Sequence, residues 1–276
     1  MPQGEAKLKA RKSILLMVLC AAAVIPCIPI LLWSFSQQWR YPELLPVWSL
    51  RAWQSIFSPH SQVLPAAWNS LGLAIATSLL SQAAAYPAAR ALGLYVKAWS
   101  KPLRLLMIGP LLIPGISIAI GVHMLFLRIG LADLWIGVVL AHLITAIPYA
   151  IYLLYGFYAT YDSGYETQLR LLGASRWQTF LMAELPLLRP ALSLSVLFSF
   201  LISWSQYLFT VFIGGGHLVT LPMLLFSTVS SGDYALTSAL SLLLVAPALV
   251  IVILTALSVN RDRYHGKEAK RVTPVI

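Results

Sequence analysis

The chain has 276 residues, of which 59% are hydrophobic and only 10% charged, with a net charge of +10. Soluble globular proteins do not combine that apolar fraction with so few charges, so the composition excludes a soluble enzyme or binding module and leaves a membrane protein. The basic excess could suggest nucleic acid, but its segregation to positions flanking apolar runs is accounted for by topology and anionic lipid, and no nucleic-acid partner is expected.

Charge-free runs separate Lys12 from Arg40, Arg51 from Arg90, Arg104 from Arg128, Asp133 from Asp162, Arg189 from Asp233 and Asp233 from Arg261. Each holds the roughly 20 apolar residues that cross a bilayer core. A mid-membrane charge costs about 2.5–3.5 kcal/mol on insertion scales. The runs predict six spans, over 13–34, 66–89, 105–127, 134–158, 190–212 and 235–259. The first follows a basic N-terminus as a signal peptide would. It is too long, however, and no small-residue cleavage site follows, so a retained helix is expected. Cys20 and Cys27 lie on that helix, seven residues apart and too far to bridge each other. The outer loop 35–65 carries Trp39, Tyr41, Trp48 and Trp53, residues expected at headgroup level.

Lys and Arg set the orientation. Lys7, Lys9, Arg11 and Lys12 precede the first span, Arg90, Lys97, Lys101 and Arg104 follow the second, and Arg170, Arg176 and Arg189 follow the fourth. The tail adds Arg261, Arg263, Lys267, Lys270 and Arg271, while the opposite side holds only Arg40, Arg51 and Arg128. Both termini and the loop after the fourth span are therefore expected in the cytoplasm. Residues 1–65 hold the N-terminus, first span and outer loop, 66–259 a five-helix core including loop 161–189, and 260–276 a basic tail.

Loop 161–189 reads as two short helices meeting at Gly173-Ala174-Ser175. Ser163 with Glu166, and Ser175 with Gln178, have the spacing of capping boxes. Gly173 stands where a left-handed C-terminal residue is wanted, and Pro186 disfavours helix at Leu185, giving helices of about nine residues. Such helices are marginal alone. They carry Leu169, Leu171, Leu172, Trp177, Phe180 and Leu181, more apolar surface than a solvated connector needs, so a partner should cover it. A DNA-binding helix-turn-helix is excluded because both ends are tied to spans, which leaves a protein partner.

On the fifth span Ser199, Ser203 and Gln206 recur on one face, beside Ser205 and Tyr207. They and Asn69 are candidates for a solute pathway, against the plainer role of hydrogen bonding between helices. The outer segment 213–233 opens on three glycines and is apolar enough to re-enter the membrane edge or to lie as a surface loop. His123 and His142 fall within spans, but without intramembrane carboxylates they make a poor proton relay. No phosphate-binding glycine loop and no metal-ligand spacing occurs. The chain is expected to have no catalytic residue, metal or cofactor of its own.

The run Gly173-Ala174-Ser175-Arg176, followed by Leu185-Pro186 and Arg189-Pro190, resembles the conserved cytoplasmic EAA loop of permease subunits from binding-protein-dependent ATP-binding-cassette importers. The likeness extends through Trp68-Asn69-Ser70-Leu71 and Thr220-Leu221-Pro222, covers about 66–259, and is nearest the polyamine, iron, thiamine and phosphonate branch. One departure stands out: the Glu-Ala-Ala triplet aligns with Thr167-Gln168-Leu169, and Glu166 lies one place early. The resemblance implies an all-α, six-span subunit in a bacterial inner membrane, paired with a second permease chain, identical or related. It implies an ATPase dimer carrying ATP and Mg, and an extracytoplasmic solute-binding protein. Glu166, Gly173, Ala174, Ser175, Arg176, Leu185 and Pro186 would form the ATPase-coupling site. The alternative is an ion-coupled secondary transporter, against which the missing intramembrane carboxylates count.

Overall fold

The computed structural model describes residues 11, 15, 17, 18, 21, 22, 24–40, 42–96, 102, 105, 109 and 112–272, with side chains up to 257. In chain order the elements begin with α1 (Cys27–Ser34), β1 (Ser36–Gln38), β2 (Val47–Trp48), α2 (Arg51–Ile56) and α3 (Val63–Leu94). Then come α4 (Gly115–Ile129), α5 (Trp135–Tyr158), α6 (Gly164–Leu171), α7 (Arg176–Thr179) and a π-helical turn (Phe180–Glu184). The chain continues through α8 (Leu185–Trp204), α9 (Leu208–Ile213), α10 (Leu221–Ser231) and α11 (Tyr234–Val272). Two compact units result, Met1–Leu64 with Leu224–Ala246, and Pro65–Met223 with Pro247–Ile276.

Among the described residues, four helical stretches are long and apolar enough to cross a membrane: Val63–Leu94, Trp135–Tyr158, Arg176–Trp204 and Tyr234–Leu257. Of the predicted first span, 13–34, residues 13, 14, 16, 19, 20 and 23 lie outside the described ones, Cys20 thus included, and α1 is its C-terminal part. Much of the first half of 105–127 is likewise outside them, and its second half is α4. The fifth span departs from 190–212. Its helix begins upstream, at α7, and stops at Trp204, and after Ser205–Tyr207 the chain restarts as α9. Ser205 and Gln206 turn their N–H groups back onto Leu201 O (3.1 Å) and Ser203 O (3.2 Å), so the break leaves those carbonyls satisfied.

In the first unit the loop 35–65 is not irregular throughout. Strands β1 and β2 pair antiparallel, Ser36 opposite Trp48 and Gln38 opposite Val47, so the chain is not wholly α-helical. A β-branched residue and a tryptophan suit such a half-exposed ladder, and Pro42 and Pro46 bracket the connection. Trp33 packs 5.5 Å from Trp39 and 5.4 Å from Tyr234 between ring centroids.

Arg51 Nη2 donates to Asp233 Oδ1 at 2.8 Å, and Asp233 also accepts the Leu236 N–H at 3.1 Å, capping α11. Burial pulls the Asp233 carboxyl upward. The Arg51 guanidinium and the backbone donors outweigh it and hold the group below the usual carboxylate value. A depressed pKa contributes stability above the unfolded value of about 4 and loses it as pH falls through the folded one. Both side chains are partly exposed, so Asp233→Asn should lower stability at pH 7 by only about 0.5–1 kcal/mol. Thermal melts in detergent should show that difference closing as the pH drops below about 4.

The second unit holds two apolar clusters. Leu73, Phe126, Val138, Val139, Phe209 and Ile213 fill one, and Ala85, Ala89, Ala150, Leu154, Tyr158 and Leu188 the other. Alanines at the contacts let helix backbones approach where no hydrophobic effect drives them together. Gly93 extends this logic: a Cβ there would lie 2.4 Å from Tyr158 Cβ and 2.9 Å from its carbonyl carbon. The segment 213–233 is pinned where it meets the start of α3. Asn69 Nδ2 donates to Val219 O at 2.9 Å and the Leu221 N–H to Ser70 Oγ at 2.9 Å, ahead of the apolar helix α10.

Candidate functional site

The loop between α5 and α8 carries the cluster of charge and exposed apolar surface that marks a site. Asp162 Oδ1 accepts the Gly164 N–H at 2.8 Å as α6 begins. The Ser163–Glu166 capping box does not form: Ser163 is already helical (φ −67°, ψ −7°) and its side chain caps nothing. Glu166 is instead drawn inward. Arg90 Nη2, near the end of α3, reaches both its oxygens, at 2.9 and 2.8 Å, and a strong cation outcompetes a backbone amide for a carboxylate.

Helix α6 ends as expected. Gly173 has φ +89°, and the N–H groups of Gly173 and Ala174 close onto Arg170 O (3.0 Å) and Leu169 O (3.0 Å), as a left-handed C-terminal residue permits. The second box forms in full: Gln178 N–H donates to Ser175 Oγ at 3.3 Å and Ser175 N–H to Gln178 Oε1 at 2.8 Å. The expected stop at Pro186 does not occur. Leu185 is helical (φ −58°, ψ −44°), and α7 runs through the π turn into α8 with Pro186 in its first turn. The widened turn shifts the hydrogen-bond register just where proline lacks an N–H, so the ladder absorbs the proline.

The π turn also buries Glu184, only 3% exposed at its side chain. Its Oε1 accepts hydrogen bonds from Tyr86 Oη (2.9 Å) and Tyr158 Oη, and lies 3.2 Å from Arg90 Nε, a charge contact off the line of a hydrogen bond. One guanidinium thus holds a carboxylate from each half of the loop. Arg170 adds a 3.5 Å contact to Glu166. Tyr161 is half-buried at the loop's entry with its hydroxyl enclosed, and burial, then the Glu166 and Glu184 carboxylates, push its ionisation well above the ordinary value. A cleft of about 430 Å³ opens here, walled by Tyr86, Tyr95, Arg176, Trp177 and Phe180 above the ion cluster. Trp177 stacks on Phe180 at 5.5 Å.

The remaining apolar loop residues face outward. Leu171 is 82% exposed, Leu172 84% and Trp177 67%, with Leu181 also exposed and Leu169 and Phe180 half-buried. Arg176 and Pro186 are exposed, and Ala174 and Leu185 half-buried.

Ser199 and Ser203 lie elsewhere, buried in a polar seam across the helices. Gln82 Nε2 donates to Ser199 Oγ (3.2 Å), and Ser195 Oγ to Gln82 Oε1 (2.7 Å). His142 bridges Ser203 Oγ (2.8 Å) and Thr210 Oγ1 (3.1 Å), and Ser203 reaches Thr77 Oγ1 (3.2 Å). Gln206 and Tyr207 are half-buried in the helix break.

Sequence reasoning missed Arg90, Glu184, Tyr86 and Tyr158 as a group. A signal was available: in a chain with nine acidic residues, Glu184 stands at the edge of an apolar run, where a carboxylate requires a partner.

Long apolar helices with a polar seam inside and an ion cluster securing an interhelical loop define a polytopic membrane protein. No centre of convergent reactive groups is seen among the described residues. The chain belongs to the family of binding-protein-dependent transport system inner membrane components, whose model matches residues 85–261. It is a permease of the import-type ATP-binding-cassette class, a transport component and not an enzyme.

The spermidine/putrescine transport system permease PotC of Escherichia coli K12 is 25% identical over 214 residues, 78% of this chain and 81% of that protein. The sulfate transport permease CysT of the same organism is 29% identical over 121 residues, 43% of this chain and 44% of its own length. Among solved structures, a bacterial transporter that imports the acidic polysaccharide alginate superposes with a TM-score of 0.70 at 16% identity, covering 92% of this chain and 96% of that one. The inward-facing MetNI methionine transporter gives 0.57 at 13% identity, covering 72% and 95%. These two show the fold alone. The family match and the named permeases give the ion-coupled alternative no support.

Proposed function

We propose that the chain is one of two membrane-spanning subunits, identical or related, of an ATP-driven importer in a bacterial inner membrane. It crosses six times with both termini and loop 161–189 in the cytoplasm, and lines a path for a small solute delivered by an extracytoplasmic binding protein. ATP and Mg act on a separate ATPase dimer, into which the loop docks as a coupling element. The observation that carries this reading is the loop itself: Leu171, Leu172 and Trp177 exposed on either side of a left-handed glycine, with the base held to α3 by Arg90. Marginal helices gain order by docking, and the rigid base passes the partner's motion to α8. Glu166 serves the base and not the docking face, whereas Gly173, Ala174, Ser175 and Arg176 form the tip and Leu185 and Pro186 lead into α8. Gln206 and Tyr207 in the break, Ser199 and Ser203 on the turns of α8 before it, and Asn69 near the start of α3 are the pathway residues of this reading. The named cargoes of the relatives, a polyamine and sulfate, have opposite charge, so the likeness supports the importer class and no particular solute.

Gly173→Val tests the coupling role cleanly. No atom lies within 4 Å of a Cβ at Gly173, so the cost is confined to the left-handed backbone, about 1–3 kcal/mol. The variant should insert and remain monodisperse in detergent, yet recover less ATPase and lose ATP-driven uptake. Gly173→Asn, which tolerates this conformation, should keep most of both. Uptake unchanged by Val would overturn the proposal.

A further inference from the structure

The direction in which the loop turns its charges specifies the surface it meets. Glu166 and Glu184 are both buried against Arg90, with Tyr86 and Tyr158 closing over Glu184, so neither presents its charge outward. Asp162 is exposed, but at the loop's entry, where it caps Gly164. What the loop presents outward is apolar and cationic. Leu171 and Leu172 flank the turn with Arg170, whose side chain is 48% exposed. Arg176 starts the second helix beside Trp177, and no carboxylate pairs with it among the described residues. Met182 and Arg189, both exposed, continue along the same segment.

We infer that the docking groove on the ATPase subunit has an apolar floor for Leu171, Leu172 and Trp177 and an acidic rim that receives Arg170 and Arg176. The occupant follows from charge complementarity. A basic or neutral groove would leave Arg176 facing like charge or desolvated without a counter-ion, and Arg170 with only its 3.5 Å contact to Glu166, each a cost in an interface. The inference rests on the proposed ATPase-coupling role and deepens it.

The experiment is co-purification of the ATPase with tagged permease in mild detergent, with size exclusion verifying that each permease variant is folded. The double variant Arg170→Glu/Arg176→Glu should recover about tenfold less ATPase or worse. The double variant Arg170→Lys/Arg176→Lys should keep most of it. Recovery of the native pair should fall as KCl rises, because rim charges are screened. Leu171→Asp/Leu172→Asp is the control for docking as such. If it abolishes recovery while the glutamate pair leaves recovery and its salt dependence unchanged, docking stands and the acidic rim is wrong. If neither changes recovery, the coupling role fails and the inference with it.

Discussion

Replacing Arg90 with methionine is expected to cost the fold about 3–5 kcal/mol, because two carboxylates would remain in place with their shared cation gone. Glu184 is 3% exposed and Glu166 9%, so water compensates little for the lost guanidinium at either. Methionine keeps the unbranched apolar stem of arginine, so the loss falls mainly on charge and hydrogen bonds. Thermal unfolding in detergent reads the cost, and uptake should fall with it. A second substitution gives the sharper outcome: Arg90→Met/Glu184→Gln should recover part of the loss, since an amide oxygen still accepts from Tyr86 and Tyr158 without needing a counter-ion. If the single variant melts with the native protein, the cluster does not secure the loop.

Gly93→Ala is expected to have the second large effect. The methyl would arrive 2.4 Å from Tyr158 Cβ, and the next obstacle, at 2.9 Å, is backbone, so no rotamer change relieves it. Overpacking of this kind costs about 1–3 kcal/mol, and more where backbone must shift. The end of α3 that bears Arg90 would be levered from the end of α5 that bears Tyr158, which couples packing to the ion cluster. Loss of melting temperature should therefore come with a loss of ATPase recovery, and the combination with Arg90→Met should be less than additive. A Gly93→Ala protein with native stability would show that the two helices separate freely there.

Part of this was legible in the residues. Charge-free runs gave α3 and α5 nearly to their ends because the price of a mid-membrane charge is steep and local. The turn at Gly173 and the Ser175–Gln178 box were legible because both are fixed by neighbours in sequence. The Ser163–Glu166 box was misread for the converse reason: spacing reveals what a side chain can reach locally, not that Arg90, 76 residues away, binds it more strongly. Pro186 was read as a stop because a proline disrupts a regular ladder, and the π turn that accommodates it leaves no mark in hydrophobic periodicity. The break after Trp204 was hidden inside an apolar run, since Leu208–Ile213 is as oily as the helix before it. The β1–β2 hairpin was obscured by its brevity, five strand residues in a loop rich in proline and tryptophan.

The unbroken passage from α7 through the π turn into α8 makes one stiff arm. Its twenty-residue α8 is about 30 Å long at 1.5 Å per residue, reaching from the ion cluster to the gap at Ser205–Tyr207. A tilt of about 10° at the loop would swing the far end by about 5 Å, the length of one helical turn. A small rotation of a docked partner would thus be magnified where α8 gives way to α9, and the three residues between them are the joint that can absorb it.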